Sequence, residues 1–393
     1  MIFFTKKPLK DDSLRIVRIL SIDILKLRFV RILLKATLIF QAAMTLIQIY
    51  FFCCVLTLMD FVKYSPMFFG MFYVIMENNF YRNRIIFFFN YSGNITLKNL
   101  KPWALDSGDN KTTAKIKTES VFWTSFVFVN FGLALIAASL FVLPVRNDKD
   151  VFFALYLFDR YFSEYASILN WVYRWMVFIQ GFTMVNCSHL FLYIVEHILF
   201  QVNLLLSRIA GITNVSQYDS EDESSLLKNE HYQMEVENRI KFCIKRHVDL
   251  RRVCTEGVTK LQKWIPTFSL NGILLFICCI VYFFLNDDNP KGRYYRVGAA
   301  VLTGLTTFCS MIFVGQSVEN ETDVLHLINT KIRWSSLNRS NLKLLMIMTL
   351  MTKKPFSLKF SNNIIVNYAL GVKIVKLVYS VVCFLVQMKQ FLH

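Results

Sequence analysis

Charged side chains are scarce in this chain. Asp, Glu, Lys and Arg make up 18% of its 393 residues, where a soluble domain carries about 25%. The signatures of common enzyme chemistry are missing as well. There is no HExxH, no repeated short-spaced histidine box, no GxSxG, no Walker A loop and no GxGxxG. The histidines are scattered, and Glu196–His197 reads as an isolated structural pair on a helix. No two carboxylates share an apolar run, and Glu77 at the end of one is the nearest case. These absences argue against an enzyme and against any cofactor. The first 35 residues also lack an apolar core followed by a small-residue cleavage site, so the first apolar run is expected to act as its own insertion signal.

Apolar residues are what the chain has in excess: 55% of the total, with 38 Phe and 16% aromatics. A membrane span needs about 20 such residues. Five runs qualify at once: Ala36–Met59, Val121–Val145, Trp175–Val195, Trp264–Asn286 and Val297–Val318. The net charge of +17 would suit nucleic acid if it lined a soluble face. It flanks apolar spans instead, so the expected partner is the anionic lipid of an inner membrane leaflet and not nucleic acid.

The basic residues alternate. With seven spans at about 36–59, 66–81, 121–145, 170–207, 260–286, 297–318 and 361–388, the intervals carry 9, 1, 7, 3, 8, 3, 7 and 1 Lys plus Arg. Basic residues resist translocation, so the rich intervals are cytoplasmic. The expectation is an all-α, seven-transmembrane helical bundle in one domain, with its N-terminus cytoplasmic and its C-terminus extracellular. That orientation is the reverse of a rhodopsin-like receptor, and no NPxxY motif stands in the chain. No inverted repeat or matched pair of broken spans points to a transporter.

Two spans rest on more than hydropathy. Tyr64–Met76 is only 13 residues free of charge. Without a crossing there, Arg82, Arg84 and the basic residues after them would fall outside. The last span is interrupted by Lys373 and Lys376, which mark a cytoplasmic edge or a wet interior. The fourth carries helical pattern from Asn170 to Ile209, about 60 Å if unbroken, and must project into the cytoplasm.

The outer loops are short, at about 61–65, 146–169 and 287–296. The inner ones are long, and the segments about 209–259 and 319–359 form a cytoplasmic helical anchor region. None of the nine cysteines falls in an outer loop, so a disulfide framework is not expected. The acidic, serine-rich stretch Tyr218–Tyr232 lacks the alternating ligands and turn glycine of a calcium loop and reads as a disordered insertion. In the last inner loop Val324, Ile328 and Ile332 recur at spacing four. Leu342, Leu345, Met346 and Thr349 follow at three and four. Both patterns read as amphipathic helices that pack against other subunits.

The final quarter resembles the insect odorant receptor family. Gly315-Gln316 closes the sixth span, and Val318, Glu319 and a helical run lead to Trp334. Asn341-Leu342-Lys343-Leu344-Leu345, then Lys354-Pro355-Phe356-Ser357-Leu358, follow in the family's order. Lys376, Tyr379 and Ser380 look like its lysine-x-serine-tyrosine-serine, with Val378 in place of the first serine, and His247 looks like its cytoplasmic histidine. The resemblance implies a tuning subunit of a heteromeric, ligand-gated, non-selective cation channel in the plasma membrane of an olfactory neuron dendrite. Its partners would be a small volatile odorant, the shared co-receptor subunit of a heterotetramer, and lipid. The last helix would line the pore. The ending Leu385-Val386-Gln387-Met388-Lys389 is similar to that of the co-receptor, which makes Gln387 ion-facing and places Phe384 and Met388 in an apolar gate. The chain lacks the co-receptor's long extra insertion. A gustatory-type channel of the same superfamily, active as a homomer, is the alternative, with a membrane enzyme or transporter further behind.

By the same resemblance the ligand sits in the outer half of the bundle, where shape and a few polar groups decide selectivity. The candidates are Phe69 and Tyr73, Leu135 and Ser139, Met176 and Gln180 (pairs at spacing four), and Phe308. Gln180 and Ser139 are the groups able to orient an oxygen.

The seven sequons, at Asn90, Asn94, Asn110, Asn186, Asn214, Asn320 and Asn338, all fall outside the expected outer loops. Glycosidase treatment of the wild-type protein should therefore leave its mobility unchanged; a shift would invert the topology.

Overall fold

In the computed structural model, residues 12–76, 103–104, 107–145, 148–215, 218, 222–261, 265–285, 291–359 and 364–392 are described. The end of the expected second span (77–81, with Glu77) lies outside them, as does the side chain of Met388. Among the described residues the secondary structure is helical, apart from one isolated bridge, Lys359 with Ile365.

The helices in chain order are α1 Arg15–Arg18, α2 Arg28–Cys54, α3 Leu58–Met76, α4 Asn110–Val142, α5 Phe153–Tyr161 and α6 Ala166–Met184. Then come α7 Asn186–Ala210, α8 Glu223–Lys228, α9 Glu230–Leu261, α10 Ile265–Leu285, α11 Lys291–Thr330, α12 Arg339–Thr352 and α13 Tyr368–Leu392. Four stretches are long and apolar enough to cross a membrane: Arg28–Cys54, Asn110–Val142, Ala166–Ala210 and Tyr295–Thr330. Leu270–Tyr282 in α10 is a shorter apolar one.

Local chemistry explains where the helices depart from the sequence pattern. α3 begins at Leu58, eight residues before the expected span, because Thr57 and Asp60 form a reciprocal capping box. The Thr57 amide donates to the Asp60 carboxylate at 3.1 Å, and the Asp60 amide donates back to Thr57 Oγ1 at 3.3 Å. Pro66 then sits inside the helix and leaves the Val62 carbonyl without its usual donor, since proline has no N–H. The Ser65 hydroxyl takes that place at 3.0 Å. α13 begins at Tyr368, seven residues later than expected, where the Asn367 side chain accepts from the Leu370 amide at 3.1 Å. The expected fourth span falls within Ala166–Ala210, where the helix is interrupted at the single residue Val185, whose amide bonds the Thr183 carbonyl.

α7 is the centre of the molecule. Within Ala166–Ala210 the most apolar window is 78% buried, far above the other long helices. Leu190, Leu192, Phe200, Val202, Leu204 and Leu205 are all fully enclosed. Packed on α7 are α4, α9, α11 and the N-terminal turns, with Leu14 and Val17 at 0% exposure. A carboxylate fixes that N-terminal segment. Asp12 accepts from Arg18 at 2.8 Å and Tyr193 at 3.1 Å, and faces His197 at 3.2 Å. Burial raises the Asp12 pKa, but these partners outweigh it and hold the carboxyl below its usual value.

Two inner-loop expectations change. Tyr218–Tyr232 is no disordered insertion in its described part: residues 223–228 form α8, and Tyr232 is buried with its hydroxyl on the Thr213 carbonyl. The last inner loop does not start a new helix after the sixth span. α11 runs 40 residues without a break, about 60 Å, and its inward face is Leu325 and Asn329 rather than Val324, which is 39% exposed. On α12 the buried face is Asn341, Leu345, Met348 and Thr352, while Met346 points out.

The pieces that carry the family resemblance meet here. His247 stacks on Phe356 with ring centroids 5.2 Å apart, and burial pushes its pKa down to about 4 with Arg251 adding to it, so the ring is neutral. Asn341 donates to the Gln233 carbonyl at 2.8 Å. The Tyr368 amide donates to Gln316 at 3.2 Å, and Asn367 to Glu319 at 3.3 Å. Between these, Gly315 lets the backbone at Val366 lie against α11: a Cβ at Gly315 would run into the Val366 carbonyl oxygen. Gly315→Ala should lower the thermal midpoint and the yield of folded protein, by about 1–3 kcal/mol of overpacking or more. Gly298→Ala, where a Cβ meets nothing within 4 Å, should leave both unchanged.

Candidate ligand cavity

Small residues on facing helices open a space at the junction of the two hydrophobic clusters. One cluster surrounds α7; the other gathers Val151–Phe158 with Met71, Tyr173 and Tyr282. α4 and α6 approach closely because Gly181 meets Ala138, and a Cβ at Gly181 would sit 2.7 Å from that of Ala138. Ala134, Ala137, Gly272, Ala300 and Gly304 leave the wall thin around them. The result is a cavity of about 480 Å³, bounded by α3, α4, α6, α10 and α11 on one side and by Leu370, Ile374, Val375 and Val378 of α13 on the other.

Its chemistry is simple. No Asp, Glu, Lys, Arg or His is among the lining residues. Thr303 and Thr307 line it, yet both hydroxyls donate to carbonyls one turn back, at 2.9 and 2.8 Å. Thr307 also accepts from Asn130 at 3.1 Å, and Asn130 lies 3.1 Å from His189 Nε2, so a buried polar network backs that wall. Gln180 differs. It is 3% exposed, and neither its side-chain nitrogen nor its oxygen has a partner.

The sequence candidates divide. Tyr73, Gln180 and Phe308 line the cavity; Phe69, Leu135, Ser139 and Met176 do not. Phe69 packs edge-on against Phe68 at 5.3 Å. Ser139 is exposed and its hydroxyl bonds the Leu135 carbonyl at 2.8 Å. The stripe read at spacing four therefore points one position away from the void, which is faced by Ala134, Ala137 and Ala138. Alanines carry no distinguishing chemistry, so sequence reading passed over them, as it did Gly304 and Met311. Of the pore candidates, Phe384 is 59% exposed and Gln387 is exposed, on a helix whose Val372, Val375, Leu377 and Tyr379 are exposed too. Among the described residues no group of three or more His, Cys, Asp or Glu is placed to hold a metal ion.

A buried ion cluster lies next to the lining residues Val151 and Val297. Asp148, in a loop expected outside, accepts from Arg174 at 2.6 Å and Arg296 at 2.7 Å. Both guanidinium groups also donate to the Leu143 carbonyl. All three side chains are under 10% exposed. The cluster ties 148–161, including the buried α5, onto α6 and α11, where Val151 lines the cavity. Asp148→Ala removes the carboxylate that two buried guanidiniums share and should cost about 3–5 kcal/mol, read as a fall in thermal midpoint. Lys149→Ala, which breaks a mostly exposed pair with Asp159, should cost about 0–1 kcal/mol.

No protein-family model and no curated protein matches the chain. Solved structures do. The olfactory receptor OR5 of the insect Machilis hrabei aligns over 96% of this chain and 97% of its own, with a TM-score of 0.65 and 11% identity. The same receptor in complex with eugenol aligns equally well. At that identity the likeness is one of architecture. From nearly one end to the other, the chain has the fold of an insect olfactory receptor.

Proposed function

We propose that the chain is an odorant-tuned subunit of a ligand-gated cation channel. On this reading it crosses the membrane seven times, with its N-terminus inside, and assembles with a co-receptor subunit. The observation that carries the reading is the uncharged cavity of about 480 Å³ that touches both the α3–α10 side of the bundle and α13. Its volume lies in the range of about 300–1,000 Å³ for small-molecule sites, and its wall suits an apolar volatile. A relative in fold takes eugenol. Because α13 forms part of the wall, a ligand that fits one position of α13 better than another shifts the balance between them. The exposed apolar face of α13, Val372 to Phe384, needs neighbours, and a ring of such helices around a pore supplies them.

The grouping of contacts supports the topology. Asp12, Lys115, Ser120, His197, Gln201, Arg246 and Glu321, all from segments expected inside, meet at one end of α4. Leu143, Asp148, Arg174 and Arg296, expected outside or at the outer edge, meet at the other end. Tyr73, Gln180 and Phe308 are the sequence candidates retained as ligand contacts, and Phe384, Gln387 and Met388 remain the proposed gate.

Expression of the chain with an insect co-receptor subunit in cells, followed by calcium imaging across a volatile panel, should give responses that need both subunits. No response at verified surface expression would overturn the proposal. Responses without the co-receptor would favour the gustatory-type homomer.

A further inference from the structure

We infer that Gln180 is the specificity-determining residue of the cavity, and that it selects an uncharged ligand bearing one hydroxyl group. This inference rests on the cavity being the ligand site. It follows from the accounts of the wall's polar atoms. Thr303 and Thr307 have spent their hydrogens on backbone carbonyls, and although Tyr73, Ser188 and Tyr282 also bring hydroxyls to the wall, Gln180 is the lining residue with two buried side-chain atoms that lack a partner among the described residues. Gln180 has an N–H donor and a carbonyl acceptor, both buried and both without a partner among the described residues. A buried amide left unsatisfied is costly, and anything that satisfies it gains by that amount.

Three ligand classes are distinguished by this group. A hydrocarbon leaves the amide as it is. An aldehyde, ketone or ester accepts from Nε2 but offers nothing to Oε1. A hydroxyl is donor and acceptor in one atom and serves whichever end of the amide turns toward the void. Anions and cations are excluded, because no charged residue lines the wall and an unpaired ion there would lose its hydration without compensation. Asn186 and Asn271 also have unpartnered amides, but neither lines the cavity.

The test compares 1-octanol, octanal and octane as competitors for the environment-sensitive dye N-phenyl-1-naphthylamine. The full chain is purified with its co-receptor, as wild type and as Gln180→Leu. The wild type should favour octanol over octane at least tenfold, about 1.4 kcal/mol, with octanal between. In Gln180→Leu the preference should collapse to within about threefold. The empty variant should melt no lower than wild type, since it removes an unsatisfied amide. An equal ranking of octanol and octane in wild type would overturn the proposal. So would a preference that survives in Gln180→Leu, a lower melting variant, or no displacement by any competitor. A hydroxyl preference in binding without any current in cells would sink the channel reading and leave this inference standing.

Discussion

The burial of α7 is the constraint from which the rest of the molecule follows. A helix apolar around most of its girth must be enclosed, and α7 is enclosed by the N-terminal turns, α4, α9 and α11. It also carries polar side chains into that enclosure, and each needs a partner. Gln201 accepts from Arg246 at 2.6 Å and from the Trp103 amide at 3.0 Å. Asn203 accepts from Lys115 at 3.2 Å. Tyr193 and His197 hold Asp12. Each of these bonds recruits a different segment, so a single helix sets the register of most of that end of the bundle.

The other half of the bundle is organised by what does not fill it. Alanine and glycine at facing positions allow α4 and α6 to touch while leaving the space between α3, α10, α11 and α13 open. The Asp148 cluster fixes the segment that carries Val151, one of the lining residues of that space. A filled core at one end and a hollow one at the other is the arrangement that the proposed function requires. The thin joint at Gly315 and Val366 connects the two, because it anchors the start of α13 on α11.

Much of this was legible in the sequence. Helical class, the long apolar helices, and the family likeness of residues 240–389 came from charge-free runs and from short motifs in order. Motifs that were separate in the sequence proved to be in contact, as His247 and Phe356 are. The misplaced starts of α3 and α13 have local causes, a Thr57–Asp60 box and an Asn367 cap, which hydropathy does not register. The break at Val185 and the burial of α5 depend on tertiary partners and leave no local pattern. Among ligand candidates, Tyr73, Gln180 and Phe308 carried size or polarity that sequence reading could use. The small residues that make the void carried neither, and a void is a property of several helices at once.

The central claim is that this void is where the activating ligand binds. It is tested most directly by determining the structure of the assembled receptor with an activating volatile bound. The account predicts ligand density inside the cavity, in contact with Gln180 and Phe308, and a displacement of α13 at Leu370–Val378 relative to the ligand-free assembly. Density elsewhere with the cavity empty, or an unmoved α13 around a bound ligand, would contradict it.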